Sequence, residues 1–447
     1  MNIGAQTAKI KTAHERMEHG KSRRDAISRA KVGDLCPQER KFDPIEVLLA
    51  SGEGRIPSLL PVKYARMSAS PFAFFRGAVS IMAADLARLP NTGLHVQLCG
   101  DAHVQNMGSF AALDGRLVFD LNDFDETIRG PWEWDVKRMA TSLVLAGREA
   151  RQKRSSRREA VELFAESYCQ WMAEFARAPI VQVARHIIHR GAGCEPVNAA
   201  VRESERFTPL AILKRLTEPG RGGRRHFRNQ PPVLRRVTGK EAGEVLAALG
   251  AYRDNLASER RHLFDLFRPI DVGFKVVGTG SVGLRDYVVL FEGNGSKDPM
   301  FLQIKQEVKS AYASSLAEQV QKHEGRRVVD GQQAIQAVSD LLLGWTAFGG
   351  HEYLVRQLND HKGSIDLETL RNDGLASLAM VAGELLARGH ARSGDACAIY
   401  GYCGEGSKVT KAILNFAVEY SDQTEADYAK FMAAVRSGKV KVAKGPV

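Results

Sequence analysis

A glycine-rich hexapeptide, GTGSVG at residues 278–283, constrains the fold of this chain more than any other stretch. Its three glycines fit the GxGxxG pattern, which nucleotide-binding folds of different architecture share. A dinucleotide-binding fold needs a helix after this loop and an acidic residue about 20 positions further on. Here the loop is followed by LRDYVVLFEG, a β-branched and aromatic run that ends at GNGS, and this pattern is typical of a strand and a hairpin turn. The sequence therefore predicts a loop between two antiparallel strands and argues against a dinucleotide-binding fold.

The next apolar run carries a lysine. LQIK at residues 302–305 has the same alternation as the VAIK strand of protein kinases. In a strand, Gln303 and Lys305 lie on one face, and Leu302 and Ile304 lie on the other. A glycine-rich loop, a hairpin and a strand lysine together resemble the small lobe of protein kinases, where the loop covers the nucleotide phosphates and the lysine contacts them.

This resemblance implies a set of nucleotide contacts and the cofactors ATP and Mg²⁺. The implied contacts are Gly278, Thr279, Gly280, Ser281, Gly283, Lys305, Glu318 and Arg356. Glu318 is the candidate partner for Lys305, because it lies on the helix predicted after the lysine strand. Glu307 and Glu324 remain alternative partners.

A second polar motif, CGDAHVQNMGSF at residues 99–110, follows a short apolar run that predicts a strand. In kinase-like enzymes the catalytic loop carries an aspartate base and, five residues on, a metal-binding asparagine. Asp101 and Asn106 have this spacing, and the segment NDFDE offers Asp123 as the second metal ligand after one more hairpin. His103 is a further catalytic candidate, with hydrogen bonding inside the loop as the alternative. The chemistry needs a carboxylate to deprotonate a hydroxyl and oxygen ligands for Mg²⁺.

Asp120 competes with Asp123 for the role of metal ligand. Strand alternation places these two side chains on opposite faces if the strand continues that far, so only one of them faces the site. The position of Asp123 relative to the turn favours it.

Three motifs in succession resemble the aminoglycoside-phosphotransferase branch of the kinase-like enzymes. The branch has GDxHxxN, IDFxD and a helix that opens GPxxxDLA, and this chain has GDAHVQN, NDFDE and GPWEWDVKRMA. The match implies that Asp135 is a buried helix aspartate that braces the catalytic loop. Cys99 departs from the branch, which often has histidine there.

The order of the motifs is reversed relative to ordinary kinases, because the catalytic motif precedes the glycine loop. We therefore expect an α+β, two-lobed, protein-kinase-like fold that is circularly permuted, with a small antiparallel-sheet lobe and a larger, mainly helical lobe. The expected units are a loosely attached basic N-terminal arm (1–40), a catalytic large lobe (41–270, with a catalytic loop at 99–106 and a metal loop at 120–126), a nucleotide-binding small lobe (271–360) and helices that complete the large lobe (361–447). Residues 40–435 resemble the bacterial family called domain of unknown function 2252.

The net charge of +11 favours an anionic partner such as a nucleotide, a nucleic acid or an acidic lipid. The basic stretches, however, lack the interleaved aromatic residues that stack on nucleic-acid bases. Six scattered cysteines without CxxC spacing indicate neither a disulfide framework nor a zinc site, and no apolar run is long enough to span a bilayer. These features predict a cytoplasmic protein.

The motifs favour a Mg²⁺-ATP-dependent phosphotransferase that acts on an unknown acceptor, either a small molecule or a protein. The alternatives are a nucleotide-binding pseudoenzyme, a nucleic-acid-associated binding module, and a nucleotidyl transferase that uses the same metal ligands.

Overall fold

The computed structural model describes residues 11–35, 40–112, 114–188, 193–220, 223–276, 278–316, 322–358 and 361–443. The strands are β1 (His95–Leu98), β2 (Met107–Ala111), β3 (Leu117–Leu121), β4 (Ile128–Pro131), β5 (Thr217–Pro219), β6 (Arg225–Phe227), β7 (Leu234–Val237), β8 (Arg268–Lys275), β9 (Asp286–Glu292), β10 (Pro299–Glu307), β11 (Gly344–Phe348), β12 (His351–Gln357) and β13 (Gly363–Ser364). The helices are α1 (Ala13–Ala26), α2 (Pro44–Ala50), α3 (Leu60–Met67), α4 (Pro71–Gly77), α5 (Val79–Leu86), α6 (Glu133–Glu149), α7 (Arg154–Arg177), α8 (Ile180–Arg185), α9 (Glu195–Ser204), α10 (Pro209–Leu216), α11 (Gly239–Asn255), α12 (Ser258–Asp265), α13 (Glu324–Ile335), α14 (Gly374–Ser393), α15 (Ala396–Cys403) and α16 (Ser407–Arg436). The architecture is α+β, as predicted.

The largest sheet in the described part of the chain has six antiparallel strands in the order β11–β12–β10–β9–β8–β7. The glycine-rich loop joins β8 and β9, which pair in the register Phe274↔Tyr287, so the predicted hairpin is confirmed. On the other side of β9 lies β10, where Lys305 stands opposite Asp286. Leu302 and Ile304 are fully buried in the apolar core on one face of this sheet. Lys305 therefore projects from the other face, as strand alternation predicts.

The sheet begins with β7, which lies ahead of residue 271, where the sequence suggested that the small lobe starts. This strand has the sequence LRRV, with two buried apolar residues around two exposed arginines. Its four residues lie in an arginine-rich stretch and are too few to give a periodicity signal.

Helices make up the larger part of the molecule. The long helix α14 packs along α7, and α16 packs against α6 and α7. Between them lies the largest apolar cluster, which includes Trp132, Phe164, Leu385 and Phe416. The two-stranded sheet β1–β4 and the sheet β13–β2–β3 contribute buried residues to the same cluster. The two acidic segments, GDAHVQN and NDFDE, therefore each follow a strand that is buried in this cluster.

The basic N-terminal segment is docked rather than loosely attached. Its helix α1 lies so close to α15 that a Cβ atom on Gly20 would be 1.8 Å from the carbonyl oxygen of Ala398. Arginines of this segment bind the protein itself: Arg16 pairs with Asp395, Arg23 donates to a carbonyl at residue 92, and Arg24 and Arg29 donate to carbonyls at residues 401–403. These charges are engaged inside the molecule, so they add no support for a nucleic-acid interface.

Among the described helices, none combines the length and the apolar character that crossing a bilayer requires.

Candidate active site

The loop that follows β1 is held in place by Asp135 of α6. The Asp135 carboxylate accepts hydrogen bonds from the backbone N–H groups of Cys99 (2.6 Å) and Gly100 (2.9 Å). Gly100 has a φ of +83°, and a Cβ atom there would lie 2.2 Å from the carbonyl oxygen of Glu126, so this position requires glycine. Asp135 thus makes the bracing contacts that the resemblance implied, and Cys99 accommodates them through its backbone.

Asp101 reaches the site from this loop as one half of an ion pair. The guanidinium of Arg138, which is fully buried, donates to Asp101 Oδ1 from Nε (2.7 Å) and from Nη2 (2.5 Å). The side chain of Asp101 keeps 21% of its surface exposed. Arg138 therefore fixes the orientation of the carboxylate without covering it.

His103 lies beside this carboxylate, with Nε2 3.7 Å from Asp101 Oδ2. Burial lowers the pKa of His103 to about 3; the Asp101 charge opposes this shift, and the charges of Arg76 and Arg138 add to it. His103 is consequently neutral at pH 7. Its buried Nδ1 has no hydrogen-bond partner among the described residues.

Asn106 connects the two acidic loops. Its Nδ2 donates to the backbone oxygens of Asp101 and Asp123, both at 2.9 Å, and its Oδ1 accepts from the backbone N–H of Asp123 at 2.7 Å. The amide therefore sets the distance between the two candidate aspartates. The assignment of Asn106 as a metal ligand stays a prediction, since its oxygen already accepts a hydrogen bond here.

Lys305 joins the large sheet to the loop that follows β3. Its ammonium nitrogen lies 3.2 Å from Asp123 Oδ1 and 2.5 Å from Asp125 Oδ2. The Lys305 side chain is only 3% exposed, whereas that of Asp123 is 46% exposed. The lysine is therefore enclosed behind two carboxylates, one of which faces solvent.

The charges of these three residues shift one another's ionisation. Burial raises the pKa of Asp123, but the charges of Lys305 and Arg356 outweigh it and hold the pKa below its ordinary value. Burial, and next the charge of Asp123, raise the pKa of Asp125 to about 7. Burial lowers the pKa of Lys305, but the two carboxylates outweigh it and raise the pKa above its ordinary value. At neutral pH, Asp123 is ionised and Lys305 is protonated.

Asp120 lies elsewhere. It is buried, and its Oδ1 lies 2.5 Å from Nη2 of the fully buried Arg388 on α14. Asp120 and Asp123 thus have opposite surroundings, and Asp123 is the one beside Lys305. Because β3 ends at Leu121, the strand does not continue to Asp123, and strand alternation does not account for the difference.

A cavity of about 620 Å³ lies between the glycine-rich loop, the two acidic loops and the segment from α2 to α5. Gly278, Thr279, Gly280 and Ser281 line one side of it, and Asp101, His103, Asn106 and Asp123 line another. Further acidic lining residues are Glu53, Asp125, Glu126 and Glu307, and the basic ones are Arg55, Lys63, Arg76, Lys309 and Lys362. The structure therefore brings the two motifs of the sequence to one cavity.

The glycine-rich loop is attached through its own carbonyl groups to two arginines, one just before α3 and one on it. Arg55 Nη1 donates to the carbonyl oxygens of Gly280 (2.8 Å) and Val282 (2.7 Å), and Arg66 donates to that of Gly278 (2.5 Å). These contacts fix the loop over the cavity, with Gly278 at a φ of +66°.

A family model described as "Uncharacterized protein conserved in bacteria (DUF2252)" matches residues 55–434. The chain belongs to this family. No curated protein and no solved structure matches it. The DUF2252 region includes the glycine-rich loop, Lys305 and both acidic loops, so nearly the whole cavity lies inside it.

Some predicted nucleotide contacts of this DUF2252 protein lie away from the cavity lining. Lys305 sits behind the carboxylates, and Gly283 packs against the side chain of Arg55. Arg356 lines a smaller neighbouring cavity, where its Nε donates to Gln303 Oε1 (3.0 Å) and its Nη1 donates to the backbone oxygen of Asn122 (3.1 Å). Lys305, Gly283 and Arg356 therefore hold the cavity lining in place and are not part of it.

The predicted partner of Lys305, Glu318, lies outside the described residues. Of the two alternatives, Glu324 pairs with Arg327 at 2.5 Å. Glu307 lines the cavity, and burial, followed by the charge of Asp125, raises its pKa well above the ordinary value. The described hydrogen-bond partners of Lys305 are Asp123 and Asp125 instead.

Sequence reasoning missed Asp125 and Arg138. Asp125 had a detectable signal, because it is a second aspartate two residues after Asp123 in the same acidic segment, NDFDE. Arg138 follows Asp135 by three residues, which is one helical turn, so its approach to the braced loop was also open to inference. Neither residue belongs to the GDxHxxN pattern.

No group of three or more His, Cys, Asp or Glu side chains within the described ranges is arranged to hold a metal ion. Mg²⁺, however, is usually bound by one or two carboxylates together with substrate phosphates, and it keeps several waters. Asp123, with its exposed carboxylate beside Asp125, offers such a partial set. The residues present fit a magnesium ion that arrives with a nucleotide.

Proposed function

We propose that this protein is a Mg²⁺-ATP-dependent phosphotransferase with a circularly permuted, protein-kinase-like fold. The observation that carries the proposal is the contact between Lys305 and Asp123, two residues 182 positions apart in the chain that meet at 3.2 Å beside the glycine-rich loop. Their approach is what a nucleotide site needs, because the triphosphate and its metal must be contacted from both sides.

The order of elements supports the kinase-like fold. In kinases the glycine-rich loop is followed by the lysine strand and then by helix αC. Here the loop between β8 and β9 is followed by β10 with Lys305 and then by α13. On α13, the side chain of Arg327 donates to the backbone oxygens of Asp125 (2.9 Å) and Thr127 (2.6 Å). This helix therefore organises the acidic loop. In kinases the corresponding helix instead supplies a glutamate that pairs with the strand lysine, whereas the described partners of Lys305 are Asp123 and Asp125.

Each candidate residue has a chemical role in the proposed reaction. A bound Mg²⁺ supplies positive charge that offsets the charge of the phosphates. Asp123 and Asp125 would hold it together with the phosphate oxygens. Asp101 would orient the acceptor hydroxyl and take its proton, with Arg138 holding the carboxylate in place. The acceptor is a molecule with a free hydroxyl group, either a small molecule or a protein.

The deciding experiment is thermal unfolding of the protein with ATP in the presence and absence of Mg²⁺. Ligand at 100 times its Kd stabilises the folded state by about 2.7 kcal/mol, which gives a measurable rise in melting temperature. We expect stabilisation with both components, and we expect Asp123→Asn to abolish the magnesium-dependent part. Asp114→Asn is the matched control, since Asp114 is an exposed aspartate in the turn between β2 and β3. The absence of any stabilisation of the wild-type protein by Mg²⁺-ATP would refute the proposal.

The ion pair between Arg138 and Asp101 favours one alternative, a pseudoenzyme that binds nucleotide without turnover. Asp101 Oδ1 already accepts two N–H groups of Arg138, which leaves this oxygen less capacity to accept a hydrogen bond from a substrate hydroxyl. Incubation with ATP labelled in the γ-phosphate, and separately in the α-phosphate, distinguishes the outcomes. Transfer or release of the γ label indicates phosphotransfer, attachment of the α label indicates nucleotidyl transfer, and neither indicates a binding protein.

A further inference from the structure

Lys63 is a buried lysine on the cavity wall. Lys63 belongs to α3 and is only 2% exposed. It lines the cavity beside the glycine-rich loop. Within the described part of the chain, no hydrogen bond or ion pair reaches its ammonium group. Burying an amine without a partner is unfavourable by several kcal/mol. A chain that keeps such a group in a cavity wall has a use for it there.

Arg76 on α4 presents a second cation to the same cavity. Its Nε is buried without a partner among the described residues, and its guanidinium makes neither an ion pair nor a hydrogen bond to them. Its nearest described ring is Phe72, whose centroid is 5.9 Å away. The backbone oxygen of Arg76 would lie 3.7 Å from a Cβ atom on Gly280, so this residue passes directly beneath the glycine-rich loop.

Three of the other buried cations have carboxylate partners. Arg138 contacts Asp101 and Arg388 contacts Asp120, each at 2.5 Å. Lys305 is engaged by two carboxylates and is nearly fully enclosed. Lys63 and Arg76 differ from these cations because they line the cavity and contact no carboxylate of the described residues.

We propose that Lys63 and Arg76 form a phosphate-binding subsite between the glycine-rich loop and the catalytic loop. The ligand group is a phosphate, either of the nucleotide or of a phosphorylated acceptor. This inference rests on the proposed function and deepens it, because it moves the direct phosphate contacts from Lys305 to two residues of the segment that precedes the catalytic loop. The electrostatic surroundings agree: burial, and next the charge of Arg55, lower the pKa of Lys63 well below its ordinary value, and only the charge of Glu126 opposes them. An anion at the subsite would relieve that repulsion.

The test is isothermal titration calorimetry of the full chain with tripolyphosphate, with ATP and with adenosine, each in the presence of Mg²⁺. Lys63→Met and Arg76→Gln remove one charge each, and Lys63→Arg keeps it. Lys411→Met is the matched control, because Lys411 is exposed on α16. We expect each charge removal to weaken tripolyphosphate and ATP about tenfold or more, as loss of a charge-assisted hydrogen bond does. Lys63→Arg and Lys411→Met should bind like the wild type.

The probes also identify the source of the phosphate. Competition between ATP and tripolyphosphate assigns the subsite to the nucleotide, and simultaneous binding of both assigns it to the acceptor; each result supports the subsite. If both charge-removing variants bind every probe as the wild type does, or if the wild type binds neither phosphate compound, the subsite is refuted.

Different results would refute the proposed function and the phosphate subsite. Tripolyphosphate binding that depends on Lys63, together with ATP that gives no magnesium-dependent stabilisation, would refute the phosphotransferase and keep the subsite. ATP stabilisation that depends on Asp123, together with ATP and tripolyphosphate binding that are both unchanged in Lys63→Met and Arg76→Gln, would do the reverse. Melting temperatures of the variants without ligand show whether each one is folded.

Discussion

The cavity has two walls whose charges are arranged in opposite ways. On the paired wall, which we define as Asp101, Asp123, Asp125, Arg138 and Lys305, every charge contacts an opposite charge at 2.5–3.2 Å. On the unpaired wall, defined as Lys63 and Arg76, neither cation contacts a carboxylate of the described chain. The side chain of Asp123 on the paired wall is 46% exposed, whereas Lys63 on the unpaired wall is 2% exposed, so the difference does not come from solvent access.

This difference separates two uses of charge in one site. On the paired wall, the charges neutralise one another and join four segments: the loops after β1 and β3, helix α6 and strand β10. Removing one charge leaves its partner without a compensating charge in a partly buried place. On the unpaired wall, removing a charge leaves no opposite charge behind, and the described contact at stake is that of Arg76 with the Phe72 ring. The paired wall should therefore be sensitive in stability measurements and the unpaired wall in ligand binding.

The largest effect on stability is expected for Lys305→Met. It leaves Asp125, and in part Asp123, without the cation that compensates them, and breaking a buried ion pair in this way costs about 3–5 kcal/mol. Urea unfolding measures the loss. The double variant Lys305→Met with Asp125→Asn should recover much of it, because the more buried carboxylate then carries no charge. A single variant as stable as the wild type would break the distinction between the two walls.

Asp101→Asn tests whether the paired wall is also catalytic. The substitution keeps the shape of the side chain and removes its ability to take a proton. Nucleotide stabilisation should be nearly unchanged, whereas the rate of γ-phosphate release or transfer should fall by about 10²–10⁴. Glu53→Gln, a carboxylate elsewhere on the cavity lining, should leave that rate unchanged. Turnover that survives in Asp101→Asn contradicts the assigned base.

The parts of this site that were predictable from sequence are those with local signals. The hairpin around the glycine-rich loop follows from turn residues and a β-branched run, and the orientation of Lys305 follows from the two-residue period of a strand. Once these were placed, the meeting of Lys305 and Asp123 followed from the resemblance. The bracing of the loop by Asp135 followed in the same way.

Lys63 of the unpaired wall had no such signal. Lys63 lies in LPVKYARM, where a lysine resembles any lysine on a helix surface, and only the tertiary fold turns it inward. The docking of α1 was missed for a similar reason. It depends on small residues of two helices that are far apart in the chain, Gly20 and Ala398, and on arginines that find backbone oxygens. Contacts of this kind are set by packing, not by periodicity.

Asp286→Asn should give a smaller and pH-dependent effect at the edge of the paired wall. Asp286 is buried, its Oδ2 accepts from Gln303 Nε2 (2.8 Å), and its Oδ1 has no described partner. Burial raises its pKa from 3.8 to about 6, although the charge of Lys305 opposes the shift. Because the folded state binds the proton more tightly, stability is highest below about pH 4 and falls as pH rises to about 6.

The neutral asparagine lacks this loss. Relative to the wild type, the free energy of unfolding of Asp286→Asn should therefore rise between pH 4 and pH 7. The rise is at most about 3 kcal/mol, because the pKa of Asp286 moves from 3.8 to about 6 on folding. Urea unfolding of both proteins at several pH values measures the gain. A difference that stays constant across this range contradicts a raised pKa at Asp286.

The smallest loss of stability is expected for Lys63→Met. The change should leave the free energy of unfolding unchanged or raise it, because the ammonium makes no described contact and its burial is itself unfavourable. Lys137→Met is the sharpest comparison: Lys137 is equally buried, but its ammonium lies 4.7 Å from the centroid of the Phe416 ring, near the charge of Glu133. A desolvated cation–π contact is worth about 2 kcal/mol, so Lys137→Met should lose more. Equal losses at the two lysines would mean that Lys63 stabilises the fold, and the contrast between the two walls would then be one of degree.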